Sequence, residues 1–80
     1  MTVESFKGAR YLAEQIKDRL DDIMTMYECV LVADYYDLIG RIATFTDSKY
    51  GWRSLAGVKI VMTDEICVYE LTMPNPLPLD

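Results

Sequence analysis

The sequence predicts an α+β domain: a long N-terminal helix, a short strand, a short helix and then a C-terminal β-hairpin. Two patterns carry this prediction. Apolar residues spaced alternately 3 and 4 apart run from Phe6 to Tyr27, which is the period of one face of an α-helix. Apolar residues alternate in two later runs, residues 58–62 and 67–73, as in half-buried strands. Since the chain has 80 residues of which 51% are hydrophobic, residues 1–80 are predicted to form one folded domain.

The first helix is predicted to bury one stripe and to expose its charged face. The stripe consists of Phe6, Ala9, Ala13, Ile16, Leu20, Ile23 and Tyr27, widened by Leu12 and Met24. Thr2 or Ser5 can cap the start, and Gly8 is expected to weaken the first turns by about 1 kcal/mol relative to alanine. The same spacing fits a short coiled coil. A homodimer paired through this helix is therefore the alternative to packing within the domain.

A short strand and a short helix are predicted next. Residues 29–32 form an apolar, β-branched run that is too short for a helix. Residues 33–39 fit a helix that ends at Gly40, because glycine accepts the left-handed cap conformation. After this helix no clear period is present. Thr46-Asp47 can cap one further turn, and Gly51 can adopt a positive φ.

The last third of the chain is predicted to be a hairpin followed by a tail. Its connecting turn is Thr63-Asp64-Glu65, without the glycine that tight hairpins favour. Pro74 is expected to end the sheet, because proline cannot donate to a strand ladder. Residues 74–80 are then a flexible or extended, polyproline-like tail, and residues 1–4 are the corresponding tail at the other end.

The residues available for chemistry predict a noncatalytic protein without a cofactor or a bound metal. The chain has no histidine, the commonest general base and metal ligand near neutral pH. It has no phosphate-binding or dinucleotide-binding glycine pattern. The cluster Asp18, Asp21 and Asp22 is interpreted as part of a solvated helix face. Cys29 and Cys67 each lie in an apolar run and are predicted to be two buried free thiols, with a bridge or a reactive thiol as the alternatives.

Charge is distributed unevenly along the chain. The net charge is −5, yet residues 41–59 contain four basic residues against one acidic residue. An acidic total disfavours nonspecific binding to nucleic acid, whereas the basic segment leaves a local positive patch open. No apolar run approaches a membrane span and no signal pattern is present. The expectation is a soluble, intracellular protein without a membrane partner.

An aromatic and basic group in the middle of the chain supplies the candidate binding residues. Tyrosine, tryptophan and arginine dominate binding hot spots, although a small domain also needs its aromatics as core. Tyr35 or Tyr36 is expected to be buried together with Trp52, and Trp52 is interpreted as a core anchor or, alternatively, a ligand contact. The candidate binding residues are Tyr50, Trp52, Arg53, Lys49, Arg41 and Lys59.

One resemblance to a known group covers about residues 30–76. It is carried by Val32–Gly40 (Val-Ala-Asp-Tyr-Tyr-Asp-Leu-Ile-Gly), by Tyr50-Gly51-Trp52 and by the closing Leu71–Pro76. These segments resemble small uncharacterised accessory proteins of bacteriophages and prophages, mostly from Gram-positive hosts. The chain departs from that pattern at Asp64-Glu65, where a glycine-containing turn is usual. The resemblance implies an accessory protein in the cytoplasm of the bacterial host, and it supplies no mechanism.

These observations leave three functional hypotheses. The first is a noncatalytic protein-binding module that engages a host or phage protein. The second is a DNA-binding regulator with a winged-helix-like fold, in which residues 44–55 occupy the recognition-helix position and residues 58–73 form the wing. The third is a small structural component of the virion, which would form a repeating assembly in solution.

Overall fold

The computed structural model describes residues 3–79. Within this range, two helices and six short strands form an α+β fold with two antiparallel sheets, which confirms the predicted class. The elements in chain order are β1 Phe6–Gly8, α1 Arg10–Tyr27, β2 Val30–Leu31, α2 Val32–Leu38, a single 3₁₀ turn Thr46–Ser48, β3 Tyr50–Trp52, β4 Lys59–Met62, β5 Tyr69–Thr72 and β6 Leu77–Pro78.

The two sheets are assembled from distant parts of the chain. The first sheet has the order β1–β5–β4, and the second sheet has the order β2–β3–β6. In the first sheet, Phe6 and Ile60 lie on either side of Leu71, which is fully buried. In the second sheet, Val30 pairs with Trp52. Because α1 packs against strands of both sheets, the core lies between this helix and the inner faces of the sheets.

The first helix begins later than its apolar stripe predicts. Phe6 lies in β1, where it pairs with Leu71, and the helix starts only after Ala9, whose φ of −64° and ψ of 148° are those of extended backbone. Phe6 fits the stripe by spacing alone, since an inward residue of a strand also points to the core. Gly8 lies in β1 and therefore does not weaken α1, contrary to the prediction.

The predicted helix cap Ser5 is not used. Ser5 donates its hydroxyl to Glu70 Oε2, at 2.6 Å, so that it bridges β1 and β5 instead of capping α1. The other predicted cap, Thr2, lies outside the described residues. The helix ends at Glu28, whose left-handed φ of 61° lets its N–H donate to Met24 O at 2.8 Å.

The stripe on α1 buries its centre and exposes its ends. Ala13, Ile16 and Leu20 are buried, and Ile23 is half-buried. Tyr27, at the end of the stripe, is exposed. The intramolecular interpretation of this helix therefore holds for its central turns.

The second helix follows its prediction closely. Its first turn is closed by Asp34, whose Oδ2 accepts the N–H of Leu31 at 3.1 Å. Gly40, just after the helix, has a φ of +79°, as expected of a glycine cap. Tyr35 is the aromatic residue that faces the core. Its hydroxyl donates to Glu4 O at 2.6 Å, and burial raises the pKa of Tyr35 to about 12.

Gly51 is required for a reason different from the predicted one. It does not have a positive φ. It lies in β3, opposite Leu31, where a Cβ would come within 2.1 Å of Val30 O. The glycine is needed because two backbones approach closely here.

The C-terminal residues form a strand where a tail was predicted. Leu77–Pro78 pair with Tyr50–Gly51 as β6, and Leu79 N–H donates to Lys49 O at 3.0 Å. Proline is tolerated because β6 is an edge strand, where the missing donor faces away from the ladder. The prediction of a separate tail is wrong for residues 74–79, and the predicted tail residue Asp80 lies outside the described range.

The N-terminal residues that the structure describes are also attached to the domain. Glu4 accepts the Tyr35 hydroxyl through its backbone and forms an ion pair with Arg41 through its side chain. Residues 3–4 therefore do not form the predicted tail.

The predicted hairpin is confirmed, with a longer turn. Lys59↔Thr72 and Met62↔Tyr69 mark the ends of the β4–β5 ladder, and Thr63 N–H donates to Val68 O at 3.1 Å to close it. The turn spans residues 63–68. Cys67 has a positive φ of 65° within it, which is the conformation that a glycine would supply in a tighter turn.

Both cysteines are free, but the prediction that they are both buried is wrong. Cys67 is exposed in the turn, and Cys29 is intermediate. Alternation along residues 67–73 suggested an inward Cys67, yet β5 begins only at Tyr69. Period-two alternation has no meaning in the turn that precedes it.

The thiols are therefore expected to differ in reactivity. In the native protein, an aromatic disulfide reagent should modify Cys67 at close to the rate seen after unfolding, because that rate follows access. Cys29 should react more slowly and accelerate on unfolding. The single variants Cys29→Ser and Cys67→Ser show which thiol gives the fast phase of labelling and which gives the slow phase. Equal, slow labelling of both thiols would contradict the exposed position of Cys67.

Candidate functional site

Two strongly exposed apolar residues lie in the segment between α2 and β3, which contains the 3₁₀ turn. We refer to residues 41–49 as the 41–49 loop. Ile42 is 94% exposed and Phe45 is 77% exposed. Two large apolar side chains three positions apart are thus left in water, although burying each of them would stabilise the fold. Exposed apolar residues that lie together indicate an interaction surface more often than isolated ones do.

Hydrogen bonds tie the start of this loop to α2, close a turn inside it, and tie its last residue, Lys49, to Leu79. Arg41 N–H donates to Tyr36 O at 2.8 Å, which ties the start of the loop to α2. Thr44 N–H donates to Asp47 Oδ2 at 2.8 Å, and Asp47 N–H donates back to Thr44 O at 3.1 Å. Only residues 42–43 lie between these ties. The exposed position of Ile42 follows from the anchoring of the backbone on both sides.

The predicted turn at Thr46-Asp47 is present but is capped differently. The cap is Asp47, which reaches back to Thr44 from inside the turn, and it is not supplied by Thr46. This role explains why Asp47 is buried while its neighbours Thr46 and Ser48 are exposed. A buried carboxylate needs such a donor.

An open groove of about 810 Å³ runs beside the loop. Its floor includes Tyr36 and Ile39 from α2, and its rim carries Ile42. The ion pair between Arg41 and Glu4 crosses the same groove and is exposed on both sides. The lining of the groove therefore combines the apolar side chains of Ile39 and Ile42 with polar residues and an exposed ion pair.

The solvent-exposed surface of residues 41–59 is more basic than the composition of this segment indicates. Asp47, the one acidic residue in residues 41–59, is buried. Arg41, Lys49 and Lys59 are exposed. Lys49 places its Nζ 4.6 Å from the centre of the Phe45 ring, a cation–π arrangement. An exposed aromatic ring and a positive charge thus form one unit on the 41–49 loop.

The structure divides the candidate binding residues between core and surface. Trp52 is buried, stands edge-on to Tyr35 with ring centroids 5.9 Å apart, and donates its Nε1–H to Pro74 O at 2.8 Å. It is a core anchor. Tyr50 is half-buried in β3, between β2 and β6, whereas Arg53 is exposed just after β3.

The basic candidates do not form one face built on one element. Arg41 follows α2, Lys49 precedes β3, and Lys59 starts β4 in the other sheet. Arg41 is further committed to the ion pair with Glu4. The structure groups Lys49 with Phe45 and places Arg53 beside a second, smaller concavity next to Pro74 and Leu77.

The winged-helix arrangement is wrong for the described residues. In residues 44–55 the structure has one 3₁₀ turn and then strand β3, where that fold requires a recognition helix. The short polar turn ends at Asp47-Ser48 because Tyr50–Trp52 are drawn into the second sheet, between β2 and β6. No helix is therefore available to carry the basic residues into a DNA groove.

Ile42 and Phe45 are not among the candidate binding residues that the sequence predicts. Ile42 belongs to no helical or alternating pattern in the sequence, so the sequence does not predict whether its side chain faces the core or the solvent. The usable signal is the absence of any period in residues 41–45, directly after a glycine cap. Apolar residues in such a segment have no element to turn them inward.

Residues 3–79 contain no cluster of three or more histidine, cysteine, aspartate or glutamate side chains that could hold a metal ion. Across the same residues, no helix is both long enough and apolar enough to cross a bilayer.

The fold and the site define a small α+β domain with two three-stranded antiparallel sheets and an anchored apolar loop. Comparisons with protein-family models, with curated proteins and with solved structures found no match.

Proposed function

We propose that this protein is a noncatalytic protein-binding module and that the 41–49 loop is its contact surface. The observation that carries the proposal is the exposure of Ile42 and Phe45 on one anchored loop, where Ile42 also lines the groove. The centre of a protein interface is apolar and depleted of charge, with aromatic residues enriched. A loop held in place before binding also loses less conformational entropy when the partner binds.

The charges around the loop indicate the chemistry of the partner. Lys49 is exposed beside the Phe45 ring, and Asp47, the one acid of residues 41–59, is buried. The partner surface that fits is an apolar patch bordered by carboxylates. Rim charges of this kind act mainly on partner choice and association rate.

The resemblance over about residues 30–76 supports a biological setting for this module. On that ground the protein is proposed to be an accessory protein of a phage or prophage that binds a host or phage protein in the cytoplasm of the bacterial host. The segment that carries the resemblance includes α2 and β3, the two elements that flank the 41–49 loop.

DNA binding is the competing proposal, and the apolar pair weighs against it. Protein–DNA interfaces are polar and strongly basic, whereas Ile42 and Phe45 would face a phosphate backbone without a partner. Lys49, Arg53 and Lys59 are exposed and available for phosphate contacts, whereas Arg41 is paired with Glu4. Few contacts predict a shallow dependence on salt, about −0.9 per contact in a log–log plot.

Two isoleucines with matched exposure provide a direct test of the loop. Ile42→Ser removes the apolar rim of the groove, and Ile66→Ser makes the same change in the β4–β5 turn, where Ile66 is 91% exposed. Phe45→Ser is the second loop variant. Each should change the free energy of unfolding by about 0.5 kcal/mol or less, as exposed substitutions do.

The measurement is capture from bacterial lysate with wild type and the three variants in parallel, followed by affinity titration with the purified captured protein. Hot-spot truncations cost about 2 kcal/mol or more, or roughly 30-fold in affinity. We expect this loss for Ile42→Ser and Phe45→Ser, and full binding for Ile66→Ser. Binding that the loop variants leave unchanged would place the interface elsewhere.

A gel-shift experiment with random-sequence duplex DNA separates the competing proposal. At micromolar protein and low salt, we expect no shift. A salt-sensitive shift that disappears in the double variant Lys49→Ala, Arg53→Ala would overturn the protein-binding proposal and establish the basic segment as a DNA contact.

A further inference from the structure

The outer edge of β4 has only the protection that its short length and Lys59 at its start provide. Strand β4 is the last strand of the first sheet, so that one of its sides has no neighbour within residues 3–79. Natural edge strands are commonly protected by proline, by inward-pointing charges or by a covering element. The edge strand β6 of the second sheet contains Pro78, whereas β4 reads Lys-Ile-Val-Met and exposes Val61 and Met62.

The hydrogen-bond pattern shows which backbone groups of β4 point outward. Thr63 N–H donates to Val68 O at 3.1 Å, next to the Met62↔Tyr69 pair. Along an antiparallel ladder, bonded and non-bonded pairs alternate. The N–H and C=O groups of Val61 therefore point to β5, and those of Ile60 and Met62 point away from the sheet.

We propose that β4 pairs antiparallel with β4 of a second copy of this chain, which joins the two first sheets into one sheet of six strands. In this pairing, Ile60 lies opposite Met62 of the second copy, and Met62 lies opposite its Ile60. Val61 then faces Val61 across the two-fold axis. All four outward backbone groups of each strand find partners, and the contact is the same from both sides, as a symmetric dimer requires.

The neighbouring residues select this register. A shift toward the start of β4 would need the outward N–H of Val58, which already donates to Leu55 O at 3.1 Å. A shift the other way would need Asp64, which lies in the turn. The register with Val61 on the two-fold axis needs only the outward N–H and C=O groups of Ile60 and Met62, which belong to β4.

Charge complementarity favours a second copy as the occupant of this edge. Lys59 is the one charged residue of β4, and the proposed register places it opposite Thr63 of the second copy, one residue from Asp64. The two-fold axis repeats this arrangement at the other end. Like charges directly opposite each other are avoided, and a β-branched valine pair lies at the centre, which suits cross-strand packing.

This proposal goes beyond the proposed function and does not rest on it, because β4 belongs to the first sheet and the 41–49 loop adjoins the second. It also differs from a dimer through α1. An edge contact of four residues per copy is small, and small interfaces are weak, so association is expected toward a protein concentration of about 1 mM.

A charge exchange at the two-fold axis tests the proposal. Val61→Lys places two lysines directly opposite each other, and Val61→Glu does the same with two glutamates. Sedimentation equilibrium should show concentration-dependent dimers for wild type and association weakened at least about 10-fold for each variant alone. An equimolar mixture of the two variants should associate again, because the opposed charges then attract. Ile66→Lys adds the same charge in the turn and should leave association unchanged.

Amide hydrogen exchange of the wild-type protein provides a readout that does not depend on how the variants fold. As protein concentration rises, the amides of Ile60 and Met62 should become protected, whereas the amide of Val61 should be protected throughout by its bond to β5. Unchanged exchange at Ile60 and Met62 up to about 1 mM protein would overturn the proposal. A Val61→Lys variant that dimerises as well as wild type would also overturn it and would favour pairing through α1.

Discussion

Replacement of Gly51 by alanine is expected to destabilise the fold by about 3 kcal/mol or more, at or beyond the upper end of ordinary overpacking effects. The added Cβ would come within 2.1 Å of Val30 O and 2.9 Å of Leu31 Cα. Both are backbone atoms of β2, so that no side-chain rotation can relieve the overlap. The strands must separate, and β2–β3 pairing is lost.

The consequences of this separation extend beyond one pair of strands. Gly51 also pairs with Leu77 of β6, and a Cβ would lie 2.7 Å from Leu79 Cδ1. The next residue, Trp52, holds the chain at Pro74 through its indole N–H. A domain of this size has a free energy of unfolding of about 4–12 kcal/mol, so the variant is expected to be only marginally folded.

Urea unfolding followed by circular dichroism and tryptophan fluorescence measures this effect. Gly40→Ala is the matched control, because a Cβ at Gly40 meets no atom within 4 Å. Its expected loss is about 1–2 kcal/mol, the cost of the left-handed conformation for a residue with a Cβ. A Gly51→Ala variant that is no less stable than Gly40→Ala would show that β2 and β3 are further apart than the structure has them.

The regular elements were predictable because their residues obey one period over several turns or pairs. The central turns of α1 around Leu20, the short helix ending before Gly40, and the alternating hairpin strands all follow from local spacing. In each of these elements, local preference and tertiary packing favour the same conformation. When local preference and tertiary packing agree in this way, the structure of a segment can be predicted from its sequence.

The errors occur where a distant partner decides the conformation. Phe6 fits the helical stripe, but it lies in strand β1 because it pairs with Leu71 of β5, which is distant in sequence. Residues 74–79 contain prolines that predict a tail, but β3 offers an edge to which Leu77 can pair. Sequence periodicity carries no information about either partner.

The candidate site was only partly predictable for a related reason. The buried state of Trp52 and the exposed states of Lys49 and Arg53 follow from residue type. The exposure of Ile42 contradicts its residue type and depends on the ties that Tyr36 and Asp47 make to the loop. Residues that violate the burial preference of their type in this way are the ones to test for function.

Replacement of Leu20 by alanine is expected to cost about 2–5 kcal/mol, the range for truncating a buried leucine. Leu20 is 0% exposed at the centre of α1, in the core cluster that also contains Val30 and Leu71. Removing three carbon atoms leaves a cavity that these neighbours can fill only in part, because they are fixed in the helix and in both sheets.

Leu12→Ala on the same helix provides the control for this experiment. Leucine and alanine have similar helix propensities, so that both variants change the intrinsic stability of α1 by nearly the same small amount. Leu12 is 37% exposed, and its truncation is expected to cost about 1 kcal/mol or less. The difference between the two variants in urea unfolding then reports the burial of Leu20. Equal losses would mean that α1 does not pack with Leu20 toward the core, and that the stripe which predicted the helix faces another surface.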